Sequence, residues 1–445
     1  MSDSHEPVSA IGRFDKKVPV IVIMIVISLL IYSSAESGFL GNIGKNAAHL
    51  LHNHYIHYVL MLLGLWPFFA RLGAELELDE VAAAGLMIFA AILGGMIVPV
   101  AMTTLLLMSF ASLPFLPALA PAVGAMATDV PMGLGAFGLY RRVVRTAFIA
   151  VAGTALMMLA IGDDLAGVIG MLAAVPAFEG LGLKEMVAEM AVYAESHGSH
   201  GHDDHHSEET ANGTFLMWAF FGEAIFLTFL WFSGQGGKYS TFVEGVRTRT
   251  VFQIDGNGFW MLMAVLNTAY LALCGIEPIL GGCLVLIFAP KEVKDWVKNK
   301  FEGLSIWMLA FFALVAGSVN IFTPEVLSWD FMSIALLVTA GGFGGKVIGI
   351  TFFSLTAQKF MDPDDTYGRN NFPPRAILMY AIPAGCNGTV AIIFVSVLLK
   401  EGFMTDTMAA QAKIGYLLTV PVSYITVLIT RIFWASDEHQ AIRDI

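Results

Sequence analysis

Two adjacent acidic residues interrupt an apolar stretch in the first half of the chain. The segment "LAIGDDLAGV", 159–168, carries Asp163 and Asp164 inside a long apolar run, 146–176. Charge in hydrocarbon is costly, so a carboxylate at membrane depth usually has a function. Such a carboxylate can hold a proton or a small hard cation, which prefers oxygen ligands. We therefore expect ion or proton chemistry at this pair.

Two other apolar segments contain residues that break helices. "GAMATDVPMGLG", 124–135, and "AIPAGCNGTVAI", 381–392, combine proline and glycine with polar side chains. Proline removes a backbone donor and glycine loosens a helix. Interrupted helices at membrane depth line polar cavities, and their free ends coordinate ions. The candidate binding and crossing residues in these segments are Thr128, Asp129, Pro131, Gly385, Asn387, Gly388 and Thr389.

One basic residue, Lys346, lies in the apolar segment "GGFGGKVIGI", 341–350. A buried ammonium needs an anionic partner. The candidate partners are the acidic residues of the apolar segments described above, Asp129, Asp163 and Asp164. Three acids and one base form a site of net negative charge. We expect such a site to bind either a cation or a proton, and this competition suffices for antiport if access alternates between the two sides of a membrane.

The composition indicates a membrane protein. Hydrophobic residues make up 57% of the chain and charged residues 13%, against about 25% charged in soluble domains. Apolar runs near 20 residues recur, which predicts an all-α polytopic membrane protein with about 12 transmembrane helices. A net charge of −12 argues against nucleic-acid binding. The predicted spans are 18–36, 53–70, 82–108, 116–140, 146–176, 213–234, 257–275, 276–290, 304–322, 331–357, 375–399 and 411–433.

Lysine and arginine positions predict the orientation. With the N-terminus in the cytoplasm, 19 of the 24 basic residues fall on the cytoplasmic side and 4 on the other, as the positive-inside rule requires. This predicts cytoplasmic termini, 1–17 and 434–445, around a transmembrane domain, 18–433, with an external loop, 177–212. The apolar run 18–32 has some features of a cleaved signal peptide, but we favour an uncleaved first helix.

The predicted external loop is rich in histidine. "ESHGSHGHDDHHSEE", 196–209, can bind zinc or nickel weakly, although it lacks a fixed ligand spacing, and we favour a solvated loop. Its histidines are His197, His200, His202, His205 and His206. Two glutamates are accessory candidates. Glu223 lies inside a predicted span, where a structural role is favoured, and Glu277 stands at the start of another, where exposure is favoured.

The motifs as a set resemble the NhaA family of sodium/proton antiporters. They occur in the family's order over about residues 50–430, and the paired aspartates after "LAI" are the most specific of them. The matching stretches are "AAILGGMIVPV" (90–100), "ATDVPMGLG" (127–135), "MMLAIGDDLAGVI" (157–169), "GIEPILGGCLVLIFAP" (275–290), "GGKVIGI" (344–350) and "AGCNGTVAIIF" (384–394).

The resemblance implies a role for each matching residue. Asp164 is similar to the essential cation and proton carboxylate, Asp163 to its accessory partner, and Lys346 to the lysine that pairs with Asp163 in the absence of cation. Thr128 and Asp129 match the crossing point of an unwound helix, where the aspartate offsets helix dipoles. In the second unwound helix, Thr389 stands where the family has a threonine.

The resemblance also implies a fold and an activity. The family fold consists of inverted repeats with two unwound crossing helices, forming a core bundle beside a panel. The implied activity is electrogenic exchange of external protons for internal sodium or lithium in the cell (inner) membrane, for pH and sodium homeostasis. The protein would then be a transporter and not an enzyme, with no cofactor besides the transported ions.

Several positions depart from the family pattern, which makes the chain a divergent member. Trp66, in "GLWPFFAR", replaces an acid linked to pH response, and Glu277 stands where the family has a histidine. Asn387 adds a polar side chain at the crossing. The connection 37–51 is too short for the family's dimerising hairpin. Cation choice, pH profile and the formation of a homodimer are therefore left open.

Other functions compete with sodium/proton antiport. The nearest is a potassium or broad monovalent cation/proton antiporter. A second is an intramembrane aspartyl protease, whose two acids share one proton. "AIGDD" lacks the GxGD setting of such proteases, and a buried lysine would disturb the shared proton. A third is a metal sensor or carrier built around the histidine-rich segment 196–209.

Overall fold

The computed structural model of the chain is helical throughout the part that it describes. That part consists of residues 78–141, 148–195, 256–273, 280–301 and 329–443, with single positions or short runs between 27 and 74 and between 222 and 230. No strand occurs among these residues, which confirms the all-α class.

The helices divide at several points inside the predicted apolar spans. We number them α1 to α12: Leu78–Phe110, Phe115–Val123, Val130–Arg141, Phe148–Gly180, Leu183–Glu195, Gly256–Leu273, Leu280–Ile287, Trp329–Thr339, Gly345–Ala357, Pro374–Ala384, Gly388–Lys400 and Asp406–Arg443. Gly124–Met126 adds a 3₁₀ turn after α2, and Ala340–Gly344 forms a π-helical turn between α8 and α9.

Three described stretches are long and apolar enough to cross a membrane. They are Gly85–Phe110, Ser333–Phe360 and Asp406–Ile432. Phe89, Ile97 and Leu105 of the first stretch are more than half exposed, as expected of side chains that face lipid. The chain is therefore compatible with a membrane location. The count of twelve spans and the orientation stay predictions.

The predicted external loop, 177–212, begins with helix. The span predicted to end at 176 continues to Gly180 in α4, and Leu183–Glu195 forms α5. Gly182 between them has φ +70°, a conformation that glycine adopts without strain. The predicted connection is thus helical as far as Glu195, and Lys184 pairs with Glu179 at 3.3 Å across the turn. Its place outside the membrane stays a prediction.

The described elements fall into two compact units. The first contains α1 from Val81 onward, α2 to α5 and α8 to α12. In it α8 and α11 pack on α12, and α10 packs on α3, α4 and α9. The short helices α2, α3, α10 and α11 are held in this unit by long neighbours. All the candidate site residues whose side chains are described belong to this unit.

A row of glycines lets α9 approach α1 closely within this unit. Gly341, Gly345 and Gly349 face Thr103, Pro99 and Gly94 of α1, in that order. A Cβ atom on Gly345 would lie 2.5 Å from the Cα of Pro99, a distance that real Cβ atoms do not reach. Small residues at every fourth position are a usual device for close helix packing in membranes. We call these three residues the glycine face.

The second unit contains α6, α7 and the helical residues 291–301. Trp66 lies here, and its indole Nε1 donates to Thr268 Oγ1 at 2.6 Å. Gly281 and Gly282 of α7 allow close contact with Thr268 and with the Trp66 ring, in that order. Trp66, which stands where the family that the chain resembles has an acid, is therefore a packing residue in this unit.

Candidate functional site: a crossing of two broken helices

The first broken helix is formed by α2, its 3₁₀ turn and α3. Residues 127–129 between them lie outside any helix, and Ala127 is extended with φ −76° and ψ 147°. Asp129 precedes α3 and accepts a hydrogen bond from the Met132 N–H at 3.1 Å through Oδ1. Aspartate is a preferred residue at this position, and Pro131 is tolerated in the first turn because its missing N–H needs no partner there. The predicted break is therefore confirmed.

The second broken helix is formed by α10 and α11. Residues 385–387 separate the two helices, and Gly388 starts α11 with φ +27°. Pro383 lies in the last turn of α10. This break is also confirmed at the predicted residues.

The two breaks meet and exchange hydrogen bonds in both directions. The Asp129 N–H donates to the Cys386 carbonyl oxygen at 2.6 Å. Thr128 Oγ1 lies 3.2 Å from the Ala384 carbonyl oxygen. In return, Asn387 Nδ2 donates to the carbonyl oxygens of Ala125 and Ala127 at 3.0 and 2.9 Å. Each break thus supplies donors for carbonyls at or beside the break in the other helix.

Lys346 of α9 reaches the crossing and forms an ion pair there. Its Nζ lies 3.1 Å from Asp163 Oδ2, and both side chains are fully buried. Thr128 Oγ1 bonds to both groups. It accepts a hydrogen bond from Lys346 Nζ at 2.7 Å and donates one to Asp163 Oδ2 at 2.8 Å. The same ammonium donates to the carbonyl oxygens of Met126, at 3.0 Å, and Ala127.

The ammonium therefore faces more oxygens than it has protons. Among the described residues, four oxygen atoms surround Nζ: two backbone carbonyls, the Thr128 hydroxyl and the Asp163 carboxylate. An ammonium group has three N–H donors. A metal cation has no fixed donor directions and prefers such oxygen ligands. The second carboxylate oxygen, Asp163 Oδ1, is buried without a hydrogen-bond partner among the described residues.

Asp129 stands at the start of two helices. Its Oδ1 caps α3, and its carboxylate packs where a Cβ atom of Gly388 would lie at the start of α11. A negative charge at helix N-termini offsets the positive end of each helix dipole. This position fits the compensating role that the resemblance implies for Asp129.

Gly388→Ala is expected to destabilise the crossing. The φ of +27° costs a non-glycine residue about 1–3 kcal/mol, and the added methyl group collides with the Asp129 carboxylate. Thermal unfolding in detergent should show the loss. Gly402→Ala is the matched control, because Gly402 has φ +77° but no atom within 4 Å of the point that an added Cβ would occupy. If Gly388→Ala is no more destabilising than Gly402→Ala, the carboxylate does not constrain this position.

Several candidate residues lie wholly or partly outside the described part of the chain. Asp164, Pro131 and Thr389 are in α4, α3 and α11, but their side chains are not among those described. Glu223, Glu277 and the five histidines of 196–209 lie outside the described residues. Within the described residues, no group of three or more His, Cys, Asp and Glu side chains could hold a metal ion.

Part of the crossing was not predicted from the sequence. The carbonyls of Ala125, Met126 and Ala127 carry no side-chain signal. Thr419 and Ser423 of α12 were also missed: Thr419 Oγ1 accepts from the Asn387 N–H at 2.9 Å, and Ser423 Oγ donates to the Ile382 carbonyl at 3.0 Å. Their spacing of four residues along an apolar helix places them on one face, which was an available signal.

Comparison with protein-family models gives no match for the chain, and comparison with curated proteins gives none either. The chemistry of the crossing is therefore the basis on which a function can be assigned.

Proposed function

We propose that the protein is a secondary active transporter that exchanges a monovalent cation, sodium or lithium, for protons. The observation that carries this proposal is the buried ammonium of Lys346 within a set of oxygens suited to a cation. Lys346 acts as a tethered cation that holds the site when no transported ion is bound.

Charge balance then couples the cation to the proton. Asp163 and Lys346 together are neutral, so an entering cation adds one positive charge to a site with 0% exposure. Such an excess is costly away from water. Release of one proton from the ammonium, or from the carboxyl of Asp164, the next residue in the chain after Asp163, removes the excess. Binding of a cation and binding of the proton therefore exclude each other, and antiport requires this competition.

The crossing fits a transporter better than a protease. A protease dyad requires two carboxyls that share a proton. The Asp163 carboxylate instead contacts an ammonium and a hydroxyl, and Asp129 caps a helix. Crossing broken helices that offer free backbone groups are typical of ion-coupled transporters. Potassium or a broader cation range is the remaining alternative within this class.

Proteoliposomes with an acidic interior test the proposal. Adding NaCl or LiCl between pH 6 and 9 should dissipate the pH gradient, read by dequenching of a pH-sensitive dye. Asp164→Asn and Asp163→Asn should abolish the response. Asp295→Asn is the control, because it makes the same chemical change at a carboxyl whose side chain is 53% exposed. Absence of dequenching with any cation from folded wild-type protein would refute antiport.

A further inference from the structure

Asn387 makes an unusual choice of hydrogen-bond partners. It is fully buried at the N-cap of α11, where asparagine ordinarily caps its own helix, yet its side chain forms no cap hydrogen bond there. Its amide instead donates to the carbonyls of Ala125 and Ala127 in the other broken helix. Both N–H groups of the side-chain amide are therefore hydrogen-bonded to carbonyls beside the candidate cation site.

The orientation of this amide is fixed by its surroundings. Rotation by 180° would point Oδ1 at two carbonyl oxygens, with no donor between them. The opposite side faces Gly342 of the π-helical turn, where Oδ1 lies 3.3 Å from the position of a Cβ atom. Asn387 Oδ1 is buried without a hydrogen-bond partner among the described residues. The backbone N–H is also held, by Thr419 Oγ1 at 2.9 Å.

Asn387 and Lys346 share one acceptor, the carbonyl of Ala127. When a cation displaces the ammonium, the Met126 carbonyl, the Thr128 hydroxyl and the Asp163 carboxylate are released. The Ala127 carbonyl keeps its bond to Asn387 and offers the cation only its second lone pair, and the Ala125 carbonyl is bonded to the same amide. The cation therefore meets few ligands, and the strongest is a carboxylate.

The number and strength of the ligands decide which ion is favoured. Selectivity for potassium over sodium is attributed to cavity size or to many coordinating carbonyl dipoles. A short ligand set dominated by one carboxylate favours a small cation instead. We propose that Asn387 is a specificity-determining residue, which restricts the site to sodium and lithium by keeping the Ala125 and Ala127 carbonyls bonded. This inference rests on the proposed cation/proton exchange.

The test compares cation concentrations for half-maximal dequenching in proteoliposomes. In wild-type protein, sodium and lithium should be effective and potassium at least tenfold weaker. Asn387→Ala frees both carbonyls and should reduce the preference for sodium over potassium about tenfold. Asn387→Ser keeps a single hydroxyl donor and should fall between the two. Ser396→Ala is the control, because it removes a hydroxyl of α11 that donates to the Ile392 carbonyl of its own helix, at 2.8 Å, without freeing either carbonyl, and it should leave the preference unchanged.

The outcomes separate this inference from the proposed function. If wild-type protein responds to sodium but Asn387→Ala keeps its preference, the inference is wrong and antiport stands. If wild-type protein responds to no cation, the function itself is wrong. Should Asn387→Ala fail to fold, cation binding to wild-type protein decides: sodium and lithium should raise the unfolding temperature, and equal protection by potassium would overturn the inference.

Discussion

Lys346→Met is expected to lower the free energy of unfolding by about 3–5 kcal/mol, the usual cost of removing one partner of a buried ion pair. Methionine approximates the length of the lysine side chain, so the packing volume is largely kept. The Asp163 carboxylate, fully buried, would lose the ammonium at 3.1 Å. Thr128 would be its one described donor, and a single hydroxyl does not compensate a buried charge. Denaturant titration in detergent measures the loss.

Two further variants distinguish this electrostatic cause from a packing defect. Asp163→Asn added to Lys346→Met removes the uncompensated charge and should restore much of the stability. Lys298→Met makes the same substitution in a partly exposed pair, at 3.7 Å from Asp295, and should cost less than about 1 kcal/mol. If the double variant is as unstable as Lys346→Met alone, the defect lies in packing and not in charge.

Residue type and position were enough to predict the breaks and the charged residues of the site. Proline and glycine inside an apolar run disrupt a helix in any context, so both interruptions were readable without a structure. Asp163 and Lys346 could be predicted as site residues because ionisable groups in apolar segments usually have a function and a partner of opposite charge. Their contact joins residues far apart in the chain, so it was implied only by the resemblance and became visible as a distance in the structure.

The remaining features depend on geometry that a sequence does not encode locally. The oxygens around Lys346 include two backbone carbonyls, which every residue possesses. Asn387 at the start of a helix predicts a cap, but its amide reaches the other broken helix because α2 and α11 lie side by side. The glycines of the glycine face are spaced four residues apart in the sequence, but this spacing alone does not show that α1 is the helix that packs against them.

The glycine face also determines where Lys346 can lie. Gly345 immediately precedes Lys346 and contacts Pro99 of α1, while Gly349 contacts Gly94 one turn later. Gly95 of the same helix α1 lies beside the Asp163 carboxylate, since a Cβ atom added to Gly95 would be 3.3 Å from Oδ2. The close approach of α9 to α1 therefore sets the position of the ammonium relative to the carboxylate.

Gly345→Ala is accordingly expected to impair both stability and transport. A Cβ atom on Gly345 would lie 2.5 Å from the Pro99 Cα and 3.1 Å from its Cβ, and backbone atoms cannot yield as a flexible side chain can. We expect a loss of about 3 kcal/mol, at the upper end of overpacking costs. Displacement of α9 would also draw Lys346 away from Asp163, so cation-dependent dequenching should fall even in protein that remains folded.

Gly344→Ala provides the matched control for this prediction. It makes the same change one residue earlier, but the added Cβ would be near only the flexible end of Met102, at 3.7 Å. Stability and transport should therefore stay close to wild type. Because the two variants share the same change in helix propensity, any difference between them reports the contact with α1. Equal behaviour of Gly344→Ala and Gly345→Ala would show that the close approach of α9 to α1 does not position Lys346.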